Sequence, residues 1–158
     1  MRFFGDFYLG LEEKGLNFFI KDLSLYDVVG FGYGCFLATE YAIDRIQNGY
    51  RIHKIVLISP IIDISDHKII VRTYKNSILR DYQIPTKKIE KREWDLNVLE
   101  KITSNGGSFE VYIGSQAPNS QKIIELFKPI GLIYCFKEGG FDIFNQLSDL
   151  KQENILLQ

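Results

Sequence analysis

The stretch DVVGFGYGC, Asp27–Cys35, sets three alternating glycines between an apolar run and a helical pattern. Its spacing matches G-x-S-x-G, the sharp strand-to-helix turn that holds a nucleophilic serine. Gly32 stands where that serine would be. The segment therefore predicts an α/β turn with the geometry of an active site and no nucleophile at its centre.

Outward from this turn, short apolar segments alternate with helical patterns. Strands are expected at Met1–Phe4, Tyr26–Gly30, His53–Ser59, Phe109–Gly114 and Gly131–Phe136. Runs such as KIVLIS and FEVYIG are nearly continuous in apolar residues, as strands covered on both faces are. Helices are expected at about Leu11–Leu23, Gly34–Gln47, Ser120–Phe127 and Asp142–Leu150. Phe36, Leu37, Tyr41 and Ile46 are the expected apolar stripe of the second of these. Asn48-Gly49 ends it, Pro118-Asn119-Ser120 starts the third, and Pro129 follows that one. The alternation predicts βαβ units, a parallel sheet in chain order and right-handed crossovers.

One long excursion, between Ser59 and Gly107, interrupts the rhythm. Trp94, Val98 and Ile102 suggest a helix in its second half. From Lys68 to Arg92 it carries eight Lys/Arg against Asp81 and Glu90. It reads as a lid or as an extra packing layer.

Composition narrows the function classes. The 158 residues suit one domain, and 46% hydrophobic with 25% charged residues is an ordinary globular balance. A net charge of −1 gives no general reason to expect nucleic-acid binding. No apolar run approaches the ~20 residues of a membrane span, and the N-terminus lacks the pattern of a signal peptide. Cys35 and Cys135 fit no metal or redox spacing and suit a reduced, cytoplasmic chain.

On particular residues the chain resembles a minimal α/β-hydrolase. Within that superfamily it is most similar to the short BioV-type pimeloyl-ACP methyl ester esterases of biotin synthesis. The resemblance is carried by the opening MRFF, YDVVGFGYG leading into ATEYAI, RIHKIVLISP, and VYIGSQ followed by a helix. It covers most of the chain in order; only Lys68–Asn105 matches poorly. It implies a single domain over residues 1–158, a three-layer sandwich of about five parallel strands with helices on both faces. Residues 68–105 would form a short lid insertion.

In that family a serine attacks the ester, a histidine takes its proton and an aspartate orients the histidine. Transferred position by position, these fall on Gly32, Phe141 and Ala117. The loop Gly5-Asp6-Phe7-Tyr8, which would supply an oxyanion N–H, also departs from the glycine-rich form. Three losses on three loops fit natural decay of the triad better than a single engineered change. A glycine relieves the strain of an elbow serine, on the order of 1–3 kcal/mol, and a phenyl ring needs no buried aspartate.

The resemblance thus implies a non-catalytic homologue, binding or regulatory, with no cofactor. Gly5, Tyr33, Lys87, Lys88, Lys91 and Arg92 are its candidate binding residues, the basic ones for docking an acidic acyl carrier protein. The alternative is an active carboxylester hydrolase on pimeloyl-ACP methyl ester with a displaced nucleophile, for which Cys35 is the candidate outside the triad. Ser59 has no evident base, His53 begins a strand, and His67 follows Asp63 and Asp66 as a possible imidazole–carboxylate pair. Gly30-x-Gly32-x-Gly34 also admits a phosphate-binding turn, although its sixth position is Cys35 rather than glycine. The bland reading of Cys35 is a buried packing residue, and that of the basic excursion is a solvated surface.

Overall fold

The computed structural model describes residues 2–5, 26–63, 66, 91–140 and 156–157. One sheet holds β1 (Arg2–Phe4), β2 (Val28–Phe31), β3 (Lys54–Ile58), β4 (Ser108–Gly114), β5 (Gly131–Phe136) and β6 (Leu156–Leu157), in that order. The first five strands are parallel. The short β6 pairs antiparallel with β5 and had no counterpart in the sequence reading. Asp27 stitches the lower edge of the sheet, its Oδ2 accepting the backbone N–H groups of His53 at 2.6 Å and Lys54 at 3.1 Å.

Among the described residues, three helices link the strands: α1 (Gly34–Gln47), α2 (Leu96–Ser104) and α3 (Ser120–Phe127). The core joins Cys35, Ala38 and Ala42 of α1, Leu99 and Ile102 of α2, and Ile123, Ile124 and Phe127 of α3. On the strands it takes Val28, Ile55, Leu57, Phe109, Val111, Ile113, Ile133 and Cys135, which the register places on one face. All three described helices therefore cover the same face. A sheet that grows in one direction in chain order requires this if every crossover is right-handed. The expected helices on both faces are not seen among the described residues. Val29, Val56 and Ile58 on the other face are fully buried too. The helices expected at 11–23 and 142–150 lie outside the described residues.

The packing of α1 corrects the expected stripe. The buried residues are Gly34, Cys35, Phe36, Ala38, Thr39 and Ala42, whereas Leu37, Tyr41 and Ile46 are half-buried. The reason is close approach: a β-carbon on Gly30 would lie 2.7 Å from Cα of Cys35 and 3.0 Å from Cβ of Ala38. Only small side chains fit a helix lying this near the strand. Thr39 is tolerated there because its hydroxyl donates to the Phe36 carbonyl at 2.8 Å.

Residues 96–104 of the excursion belong to the packing layer. Asp95 caps α2 by accepting the N–H of Asn97, and Leu99 and Ile102 enter the core with 1% and 0% exposure. Trp94 precedes the helix instead of lying on it. Residues 67–90, with Lys87 and Lys88, lie outside the described residues. The aromatic centre of the layer is Phe127, fully buried, with ring centroids 5.1 Å from Trp94 and 5.7 Å from Phe109. Truncating it to alanine would cost about 3–5 kcal/mol.

Candidate functional site

The elbow lies at the carboxyl end of β2, where open α/β sheets place their sites. Gly32 has φ 58°, and Tyr33 turns back into the helical region with φ −59° and ψ −32°. The N–H of Gly32 donates to the Ile58 carbonyl at 3.0 Å, and its own carbonyl accepts from Cys35 N at 3.1 Å. The turn is thus a strand end and a helix start at once, and left-handed backbone at its centre suits glycine. Gly34 has a separate reason. A β-carbon there would lie 2.1 Å from the Phe4 carbonyl oxygen and 2.4 Å from that of Gly5. The helix start is pressed onto the end of β1, which brings the candidates Gly5 and Tyr33 to the same edge.

The loops after β4 and β5 meet at this edge as well. Ser115 N donates to the Phe136 carbonyl at 2.9 Å, and Gln116 N donates to that of Gly139 at 2.8 Å. Ser115 Oγ accepts the N–H of Glu138 at 3.0 Å. Ala117 is 7% exposed, with its methyl in the core cluster. A carboxylate in its place would be buried. Phe141 lies outside the described residues.

Cys35 is fully buried, and its thiol points to the Ile58 carbonyl at 3.5 Å. It sits among apolar neighbours as a core residue does. Ser59 is also fully buried, with φ 47° and its N–H on the Tyr112 carbonyl at 2.8 Å. His53 is exposed at the other end of β3, five residues from Ile58, about 16 Å along the strand. It does not reach the elbow. His67 lies outside the described residues. Asp66, 2% exposed, is engaged elsewhere: its Oδ2 accepts from Ile62 N at 2.9 Å and its Oδ1 from the Asn119 amide at 2.6 Å. This bond ties the loop after β3 to the residue before α3, where Asn119 has φ 54°.

The contact that sequence reasoning missed involves Tyr33. Arg92 donates from Nη1 to the Tyr33 hydroxyl and from Nε to Glu40 Oε1, and its guanidinium lies 5.4 Å from the Tyr33 ring centroid. Tyr33 is fully buried, whereas the Glu40 side chain is 53% exposed. Burial pulls the Arg92 pKa down, but Glu40 and Tyr33 outweigh it and leave it raised. Two residues on, Trp94 stacks on Phe36 at 4.4 Å and donates Nε1 to the Ile61 carbonyl at 2.6 Å. Arg92 is therefore an internal tie more than a solvated docking cation. Lys91, by contrast, has a 72% exposed side chain, 3.8 Å from Glu93. No local pattern announces a bond between residues 59 apart.

A second missed cluster lies on the sheet face opposite the helices. Glu110 accepts from the Tyr112 hydroxyl at 3.1 Å, and Tyr112 stacks on Tyr134 at 4.7 Å. Burial first, and the Glu110 carboxylate second, push the phenols of Tyr26, Tyr112 and Tyr134 upward, Tyr112 far above the usual range. The alternation Glu110-x-Tyr112 in FEVYIG was the available signal for this side of the strand. Among the described residues, no group of three or more His, Cys, Asp or Glu could hold a metal ion, and no helix is long and apolar enough to cross a membrane.

No family model and no curated protein matches the chain. Among solved structures, an esterase from Pyrobaculum calidifontis is similar at 14% identity with a TM-score of 0.46, over 78% of this chain and 50% of that one. A thioesterase domain from the curacin biosynthetic pathway is similar at 13% identity with a TM-score of 0.45, over 78% of this chain and 62% of that one. The chain thus spans half to under two thirds of the length of these structures.

Proposed function

We propose that the protein is a non-catalytic α/β-hydrolase-like domain whose elbow serves binding or regulation. The observation that carries this reading is Gly32: the turn has the backbone of a nucleophile elbow, with φ 58°, and no side chain at the attacking position. The neighbouring Cys35, with its thiol buried against Ile58, lacks the exposure a substituting nucleophile needs. The relationship to BioV-type esterases belongs to the same proposal, supported by the motifs around the elbow, whereas the three replaced triad positions bear on the absence of activity.

Hydrolysis of p-nitrophenyl acyl esters tests it. The wild type should turn over no faster than Gly32→Ala, and Gly32→Ser should stay equally inactive, because a serine without a positioned base is a poor nucleophile. Turnover by the wild type that disappears in Cys35→Ala would install the esterase reading instead.

The partner proposed for this domain is an acidic carrier protein such as acyl carrier protein, docking on the basic segment. The net basic charge of residues 68–92 and the exposed Lys91 support it. Such binding should weaken as salt rises and be lost when Lys87, Lys88 and Lys91 are changed to glutamate. Unchanged affinity would leave a solvated surface. Arg92 is left out of that reversal because its guanidinium is engaged by Glu40 and Tyr33.

A further inference from the structure

We propose that residues 91–95 form a latch over the elbow, released when an oxyanion on a partner or ligand takes Arg92 from Glu40. Exposed and half-buried residues alternate along the segment, with Arg92 and Trp94 the half-buried ones. Arg92 holds the elbow residue Tyr33 and Glu40 of α1 together, and Trp94 wedges between Phe36 and Phe127 with its indole N–H on Ile61. The segment forms one wall of a cavity of about 190 Å³ between α1 and α2, with Phe36, Thr39, Glu40 and Leu99 among the other walls. Arg92 thus ties the segment to both the elbow and α1, beside the contacts that Trp94 makes.

Glu40 and Tyr33 differ in how firmly they hold the guanidinium. Glu40 is half in water, where an ion pair contributes little and exchanges readily. A guanidinium binds phosphate or carboxylate in the same forked geometry, so an incoming oxyanion competes for the same N–H groups. Tyr33 is deeply buried and follows Gly32 directly, so rotation of Arg92 away from it reaches the turn itself. Trp94, two residues along the same segment, moves with it. The inference deepens the proposed binding role of the elbow and rests on it only for the identity of the site that is closed.

Trp94 is the chain's single tryptophan, so its emission reports the latch alone. The probe is sodium phosphate titrated into the full chain at constant ionic strength, balanced by sodium chloride, with sodium acetate as a parallel arm. The expected result is a saturable red shift of the emission together with greater quenching by acrylamide, in at least one of the two oxyanion arms. The responding arm distinguishes a phosphate from a carboxylate as the natural group. Glu40→Gln, an exposed helix position, removes the competitor and should lower the midpoint up to about fivefold, the factor for an ion pair of about 1 kcal/mol. Arg92→Ala should start red-shifted and not respond. Equal effects of chloride and both oxyanions, or an unchanged midpoint in Glu40→Gln, would overturn the latch. The readout involves neither turnover nor carrier binding, so failure of the proposed function and failure of the latch are seen separately.

Discussion

The carbonyl oxygen of Phe4 lies 2.1 Å from where a β-carbon on Gly34 would stand. Gly32, two residues earlier, is a glycine for a different reason, its φ of 58°. The two positions should therefore respond differently to the same substitution. Gly32→Ala should cost about 1–2 kcal/mol, the penalty of left-handed backbone for a residue with a β-carbon. Gly34→Ala should cost about 3 kcal/mol or more, because backbone on both sides must move. Urea midpoints of the two variants check the order, and equal midpoints would contradict it.

The lower edge of the sheet offers a cleaner electrostatic test. Asp27 Oδ2 takes two backbone N–H groups, those of His53 and Lys54. Asp27→Ala leaves both donors to find water and should destabilise by about 1–3 kcal/mol. Asp27→Asn, which keeps an acceptor oxygen, should recover part of the loss. Chemical denaturation of the three proteins measures this.

The tyrosines on the opposite face predict an alkaline limit. The Tyr112 phenol is raised far above its ordinary value of 10.0 by burial and then by Glu110, and burial followed by Glu110 likewise raises Tyr26 and Tyr134. A raised folded-state pKa gives stability that is full below the unfolded value and lost above it, as the unfolded phenols release protons that the folded ones retain. Stability should thus hold up to about pH 10 and fall beyond it. Tyr112→Phe should start less stable, having lost its bond to Glu110, and fall less steeply. Thermal melts between neutral and strongly alkaline pH check both parts.

The parallel sheet was legible because its strands are short apolar runs bounded by turn residues, and because KIVLIS and FEVYIG read as covered on both faces. The elbow was legible for a local reason as well, since alternating glycines between an apolar run and a helix leave few other conformations. What was not legible is set by distance in the chain. Cys35, Ala38 and Ala42 form the sheet-facing side of α1 because Gly30 lets the helix come close. A stripe chosen by hydrophobicity favoured Leu37, Tyr41 and Ile46 instead. The Arg92–Tyr33 bond and the Asp66–Asn119 bond each join loops more than fifty residues apart, so their spacing carries no signal. Arg92 read as one of a row of surface cations because nothing beside it in sequence shows that it turns inward while Lys91 does not.

An elbow without a working nucleophile should be inert to covalent labelling. The native protein should be incubated with a fluorophosphonate and, separately, with iodoacetamide, then digested and analysed by mass spectrometry. No fluorophosphonate adduct is expected on any serine, Ser59 included, because that residue is fully buried. Cys35, equally buried, should be alkylated only after denaturation. A stoichiometric fluorophosphonate adduct on Ser59, or rapid alkylation of Cys35 in the folded protein, would contradict the account and restore the site as a candidate enzyme.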